Sequence, residues 1–334
     1  MDLTTTYMGL ELKHPIIASA SPLSESVDGI RRLEDSGAAA IVMFSLFEEQ
    51  IHHENEAFSH FMEAGTQSFA ESLSYFPAVD AFPAGPDNYL ELIRTASETI
   101  EIPLIASLNC ATAHGWVEYA KQMEQAGAKG LELNIYAVEP NLEISSLEVE
   151  QRYLDILKTV KSAVGIPVAL KLSPFFSAFG HMAKQLDDAG ADALVLFNRF
   201  YQPDIDTEHL EVNSTLHLSN ADEIRLPLLW IALLHGQIKA SIGATRGVQT
   251  ADEIVKYLLA GADTVMTASA LLRNGPAYLG ELLAGLTRWM ESRQFESVAR
   301  LRGVMSHSRV ANPKAFERAN YIKMLESYQP NYRQ

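Results

Sequence analysis

The chain has a single cysteine, Cys110, which excludes an internal disulfide framework and any metal or cluster site built from several cysteines. That scarcity points to a reducing compartment, the cytosol. Positive charge is also short: 26 Lys and Arg stand against 42 Asp and Glu, a formal net charge of −16. Nucleic acids and anionic membrane surfaces attract basic patches, so this balance argues against a polyanionic partner. No apolar run approaches the roughly 18 residues needed to cross a bilayer. The longest candidate, 226–234, reads as a buried helix. Residues 1–12 have neither a basic stretch nor an apolar core and do not read as a secretory signal. No G-x-G-x-x-G follows the first apolar strand, which removes the main sign of a dinucleotide-binding Rossmann domain.

What is present repeats. Ser36-Gly37-Ala38-Ala39-Ala40 is echoed by Ala126-Gly127-Ala128, Ala189-Gly190-Ala191-Asp192 and Ala260-Gly261-Ala262-Asp263. Each copy follows an amphipathic stretch and precedes an apolar run. The glycine can take the left-handed conformation that ends a helix, and the small residues let the chain turn directly into a buried strand. A second phrase, Ile102-Pro103-Leu104, returns as Ile166-Pro167-Val168, where proline stops one element and admits the next. Taken as helix-to-strand junctions, these predict eight strands at 15–19, 39–44, 103–108, 130–134, 167–172, 193–198, 240–243 and 264–267. Helical patterns lie between most of them, including 116–125, 148–164, 180–189 and 250–260. Apolar strands alternating with helices imply a parallel sheet, and eight such units favour an α/β fold closed as a (β/α)8 TIM barrel. Residues 1–334 read as one such domain, with a helical tail from about 277 to 334. Segments 47–86, 136–145 and 199–223 are longer than ordinary connections and leave the carboxyl ends of strands, where such barrels build their sites.

Polar residues ending apolar strands are the chemical signal. Lys171 ends 167–172 and must find an anion or a covalent role, because an unpaired buried charge is costly. Asn134 and Asn198 end two other strands and offer amides to a planar ligand. The turns after the last two strands carry Gly243-Ala244-Thr245-Arg246-Gly247 and Thr267-Ala268-Ser269. In many barrels these turns bind phosphate through backbone N–H groups, and Arg246 could add a bidentate contact.

With these residues located, the chain resembles the dihydroorotate dehydrogenase family, in its class 1 branch. His14-Pro15-Ile16-Ile17-Ala18-Ser19-Ala20 is similar to that family's N-P-x-x-A-S-G opening, and Leu131-Glu132-Leu133-Asn134 to its L-E-L-N strand. Val168-Ala169-Leu170-Lys171-Leu172-Ser173-Pro174 resembles V-x-x-K-L-S-P, and 260–271 the family's A-G-A-x-x-V-Q-x-G-T-A-L. The resemblance implies FMN, with Ala18, Ser19 and Ala20 along the flavin ring and Ser45, Asn109 and Asn134 hydrogen-bonding the ring or ribityl chain. It implies Lys171 beside the N1–C2=O edge, and Gly243, Arg246, Gly247, Ala268 and Ser269 around the phosphate, with Arg246 either a contact or the occupant of a glycine position. Asn198 would face a small-molecule substrate. A homodimer and a redox partner protein are further expectations of the resemblance.

Departures from the family pattern cluster on the substrate side. The family's N-x-S-C-P-N carries its catalytic cysteine where this chain has Ala137, and alanine cannot remove a proton. The T-K-[ST] lysine is Phe44, and Leu73-Ser74-Tyr75-Phe76-Pro77 lacks the asparagine of the family's N-S-M-G-L-P-N loop. The glycine pair expected before the helix at 226 is absent from His217-Leu218-Ser219-Asn220. Tyr136 and Glu139 stand on the right loop to act as catalytic groups, Glu139 being the simpler base, and Cys110 follows the third strand. Phe44 and Tyr75 would narrow the substrate pocket. His52, His53 and His60 match no metal-ligand spacing. The expected activity is FMN-dependent oxidoreduction of a C–C bond beside a carbonyl, on dihydroorotate or an altered substrate. The other readings are a Schiff-base lyase or aldolase using Lys171, and a flavin-holding subunit of an electron-transfer complex.

Overall fold

Eight short strands close on themselves in the computed structural model, which describes residues 1–47, 86–109, 115–135, 139–199, 203–213, 216–317, 321 and 325–326. The chain enters through an antiparallel hairpin, β1 (Thr5–Tyr7) and β2 (Leu10–Leu12). The barrel then takes β3 (Ile16–Ala18), β4 (Ile41–Phe47), β5 (Leu104–Asn109), β6 (Gly130–Asn134), β7 (Val168–Leu172) and β8 (Ala193–Leu196). A second hairpin, β9 (Asp204–Asp206) and β10 (Glu211–Asn213), lies outside it. The barrel is completed by β11 (Ser241–Ala244) and β12 (Thr264–Thr267), which pairs back onto β3, all in parallel. The expected strands at 130–134 and 264–267 have those bounds, and the other six differ by three residues or fewer. Neither hairpin was expected.

Helices cover the outside: α1 (Val27–Asp35), α2 (Pro86–Thr99), α3 (Gly115–Gln125), α4 (Ser146–Lys161), α5 (Phe179–Asp188), α6 (Arg225–Leu234) and α7 (Ala251–Ala260). After the barrel come α8 (Ser269–Asn274), α9 (Tyr278–Ser292) and α10 (Val298–Leu301). The repeated glycines do end helices in the left-handed region, with φ of 97° at Gly37, 113° at Gly127, 94° at Gly190 and 125° at Gly261. The aspartates of the repeat have a second task. Asp192 accepts the Val168 N–H at 2.7 Å, and Asp263 accepts the Ile242 N–H at 2.7 Å. Each carboxylate thus satisfies a backbone donor at the start of a neighbouring strand, a group that would otherwise be buried unpaired. Capping boxes at Ser145/Glu148 and Thr250/Glu253 start α4 and α7.

The strands alternate as period two requires. Leu131 and Leu133 of β6 join the layer under the helices, while Ile17, Val42, Ile105, Val195 and Met266 pack inside the barrel with Tyr7, which the first hairpin delivers from below. One irregularity shapes the mouth. Pairing of β4 with β5 slips between Val42 and Ser45, and Tyr89 of α2 fills the break. Its hydroxyl accepts the Ser107 N–H at 3.0 Å and donates to the Phe44 carbonyl at 3.0 Å. The tail is tied to the barrel's helices: Gly303 and Met305 donate to the carbonyls of Leu258 and Leu259, and His307 to that of Ala232. Among the described residues no helix is long and apolar enough to cross a membrane.

Candidate functional site

At the carboxyl ends of the strands lies a cavity of about 360 Å³, within the roughly 300–1,000 Å³ range of small-molecule sites. Ser19 and Ala20 line it after β3, Phe44 and Ser45 on β4, Asn134 on β6, and Lys171 on β7. Phe197, Asn198 and Arg199 follow β8, residues 245–248 follow β11, and Ala268 and Ser269 follow β12. Strand ends set far apart in the sequence thus converge on one space.

The floor is polar. Lys171 Nζ donates to Glu132 Oε1 at 3.1 Å, with the two side chains 10% and 1% exposed. Asn134 lies beside Lys171 in the β6–β7 register, and its Oδ1 accepts from Asn198 Nδ2 at 2.6 Å. An ammonium and two linked amides therefore face the same depth of the cavity. On the β4 wall, the Phe44 N–H donates to Ser24 Oγ at 2.8 Å, and the Phe44 ring meets Tyr89 edge-on at 5.0 Å. The Ser45 and Ser107 hydroxyls are 2.8 Å apart.

The other end is built from three turns. The Gly247 N–H donates to Ser219 Oγ at 3.2 Å, and Ser219 Oγ lies 2.8 Å from Ser269 Oγ. Arg273 holds that segment through the carbonyls of Ser219, at 2.8 Å, and Leu218, at 3.1 Å. Gly247 has φ 76°, and a Cβ there would stand 2.6 Å from Ile224 Cγ2, so a side chain would push away the segment that supplies Ser219. Arg246 has φ 80° although it carries a side chain. It thus holds a glycine-type conformation while its side chain still lines the cavity. Its backbone is pinned by the Tyr257 hydroxyl, which donates to the Arg246 carbonyl at 2.7 Å, and its Nε donates to Glu223 at 2.8 Å. Burial opposes the Glu223 charge, but Arg246, the Asn220 N–H and the Arg199 charge hold that carboxyl below the usual range.

Some expected residues lie elsewhere. Ala18 is buried in the core, and Asn109, although it pairs with Asn134 in register, is not on the cavity wall. Gly243 faces the barrel interior, where Met266 and Tyr7 leave no room for a Cβ. Glu139, expected to act as the base, is outside the cavity lining, and Arg152 Nη1 donates to its Oε2 at 2.7 Å. That hydrogen bond, then the Asn141 N–H, lowers its pKa, and a carboxylate so stabilised is a weak base. Tyr75, Tyr136, Ala137, Cys110, His52, His53 and His60 lie outside the described residues. Glu132, which lies beneath the lining and holds Lys171, and the lining residues Arg199 and Ser219 were not foreseen. Glu132 was visible only as part of a motif, although its place two residues before Asn134 puts both on one strand face. Ser219 had no local signal, because its partners are 28 and 50 residues away.

The donor set fits a flat, phosphorylated cofactor. Amides and an ammonium stand at one end, and hydroxyls, a backbone N–H and arginines at the other. Comparison with known proteins then decides the family. The model of the dihydroorotate dehydrogenase family matches residues 81–290. The chain belongs to that family. It is an FMN-dependent oxidoreductase, as members of the family are. A curated relative from Thermoplasma acidophilum, named dihydroorotate dehydrogenase B (NAD(+)), catalytic subunit, is 27% identical over 309 residues, 91% of this chain and 98% of the relative. One from Methanothermobacter thermautotrophicus with the same name is 25% identical over 90% of this chain and 98% of its own length. A putative dihydroorotate dehydrogenase A (fumarate) from Aeropyrum pernix is 28% identical over 66% of this chain and 74% of its own length.

Proposed function

We propose that this family member oxidises or reduces a C–C bond next to a carbonyl, on a substrate less anionic than dihydroorotate or of a different outline. The observation that carries this reading is Phe44 on the cavity wall, where the family pattern has a lysine. A phenyl ring supplies neither the positive charge nor the donor that a carboxylated pyrimidine would use.

Bound FMN supplies a hydride acceptor and donor at its N5 position. In this reading Ser19 and Ala20 lie along the ring, Asn134 and Ser45 hydrogen-bond its polar edge, and Lys171 offers a fixed cation where negative charge accumulates on reduction. Gly247, Ser219 and Ser269 hold the phosphate, with Arg246 and Arg199 balancing its charge. Asn198, linked to Asn134, presents the substrate at a fixed orientation. The proton that accompanies hydride transfer needs an acceptor; with Glu139 held by Arg152, we favour Tyr136 or Cys110, the other sequence candidates. The Schiff-base alternative is disfavoured because Lys171 is committed as a donor to Glu132, whereas imine formation needs a free lone pair.

For the electron acceptor we favour a partner protein. The Thermoplasma relative is named a catalytic subunit, and a chain with one cysteine has no cluster-ligand set of its own. The test is an absorbance spectrum of the purified protein, repeated anaerobically with dihydroorotate and with less anionic cyclic amides. Bleaching by the latter at the faster rate is expected. Dihydroorotate turnover with fumarate or a dye at the level of ordinary family members rejects the altered substrate, and a colourless protein that refuses FMN rejects the whole reading.

A further inference from the structure

Barrels of this kind are filled by layers of branched apolar side chains. Glu132 breaks that pattern. Among the described residues it is the one buried carboxylate on a barrel strand. Its Oε1 accepts from Lys171, while its Oε2 is buried and has no hydrogen-bond partner among the described residues. Opposite it in the β6–β7 register stands Ala169, whose small side chain leaves space on the inner face, and Lys171 follows two residues later on that same face. The register thus stacks the lysine over the glutamate.

The carboxylate acts well beyond this one contact. Burial first, and then the charges of Glu132 and Asp263, hold the Tyr7 phenol well above its ordinary pKa. Tyr89, on the other side of the strand wall, is raised chiefly by burial, with Glu132 contributing. Both phenols therefore stay neutral around a central negative charge. Stability does not explain the arrangement. Desolvating two charges commonly costs more than one contact returns, and replacing a buried pair by apolar residues is often neutral or stabilising.

We infer that Glu132 is the positioning residue and counter-charge of Lys171, holding the ammonium at one depth on the cavity floor and setting how much positive charge reaches a bound flavin. This rests on Lys171 being the lysine that faces the flavin. Glu132→Gln keeps the shape and one acceptor but removes the charge, so the reduced, negatively charged flavin gains stability. At a fixed potential the reduced-to-oxidised ratio should rise at least about tenfold, which is ~30 mV upward for a two-electron couple. Glu132→Asp keeps the charge and should stay within about threefold of the wild-type ratio, ~15 mV by the same conversion.

The measurement is equilibrium reduction of the FMN-loaded protein against a reference dye, with melting temperatures alongside. A purely structural role lowers the melting temperature of both variants and leaves the potential in place. A flavin-loaded wild type whose Glu132→Gln variant has an unmoved potential overturns the inference alone, whereas a wild type that refuses FMN overturns the flavin reading and the inference together. If Glu132→Gln does not fold, Lys171→Met is compared with Lys171→Met/Glu132→Met. The pairing requires the double variant to melt higher, because the single one strands a buried carboxylate. Equal or lower melting of the double variant overturns the inference.

Discussion

Replacing His14 by asparagine should flatten the acid side of the protein's stability profile. His14 is 4% exposed, and its Nδ1 accepts the Ile16 N–H at 3.2 Å, so the native imidazole is neutral. Burial is the main reason its pKa falls from 6.5 to about 4. Above the unfolded value both states are neutral and the residue contributes nothing to the pH dependence. Below it, the unfolded chain takes up a proton that the native state refuses, and stability falls until the native imidazole also protonates near pH 4. At 1.36 kcal/mol per pH unit, that window amounts to ~3 kcal/mol. Asparagine, the residue of the family motif at this position, retains an acceptor for the Ile16 N–H and does not titrate. Urea unfolding at about pH 7.5 and about pH 4.5 should show the wild type losing ~2–3 kcal/mol more than the variant. The comparison between proteins removes the shared contribution of the carboxylates. Equal losses in the two would refute the reasoning.

Three further outcomes follow from the site. Tyr89→Phe keeps the ring against Phe44 but strands the buried Ser107 N–H, and should cost ~1–3 kcal/mol in urea unfolding; a loss below ~0.5 kcal/mol means another acceptor steps in. Glu139→Gln should change kcat by less than about twofold, because Arg152 already holds that carboxylate away from the cavity, whereas a drop of about 10² or more would restore it as the base. Phe44→Lys should lower KM for dihydroorotate about tenfold, ~1.4 kcal/mol of binding, while losing an edge-on ring contact with Tyr89 of ~0.5–1.5 kcal/mol. An unchanged or raised KM would show that the missing lysine is not what sets substrate charge.

The alternation of strands and helices was legible in the chain because its causes are local. Gly127, Gly190 and Gly261 end helices a few residues before the strands they introduce, and the capping boxes close within four residues. Lys171, Asn134 and Asn198 could also be picked out as polar ends of apolar strands, and they do meet on one cavity. What each side chain does there was decided by register and closure. Lys171 finds Glu132 across 39 residues, and Ser219 meets Gly247 and Ser269 across 28 and 50. Arg246 takes a glycine's conformation because Tyr257 and Glu223, from other elements, hold it there. Glu139 meets Arg152, thirteen residues on and nearly two turns into α4, a partner that nothing local announced. Periodicity assigns a residue to a face, but only the stagger between neighbouring strands and the packing of loops above them determines which charge it meets.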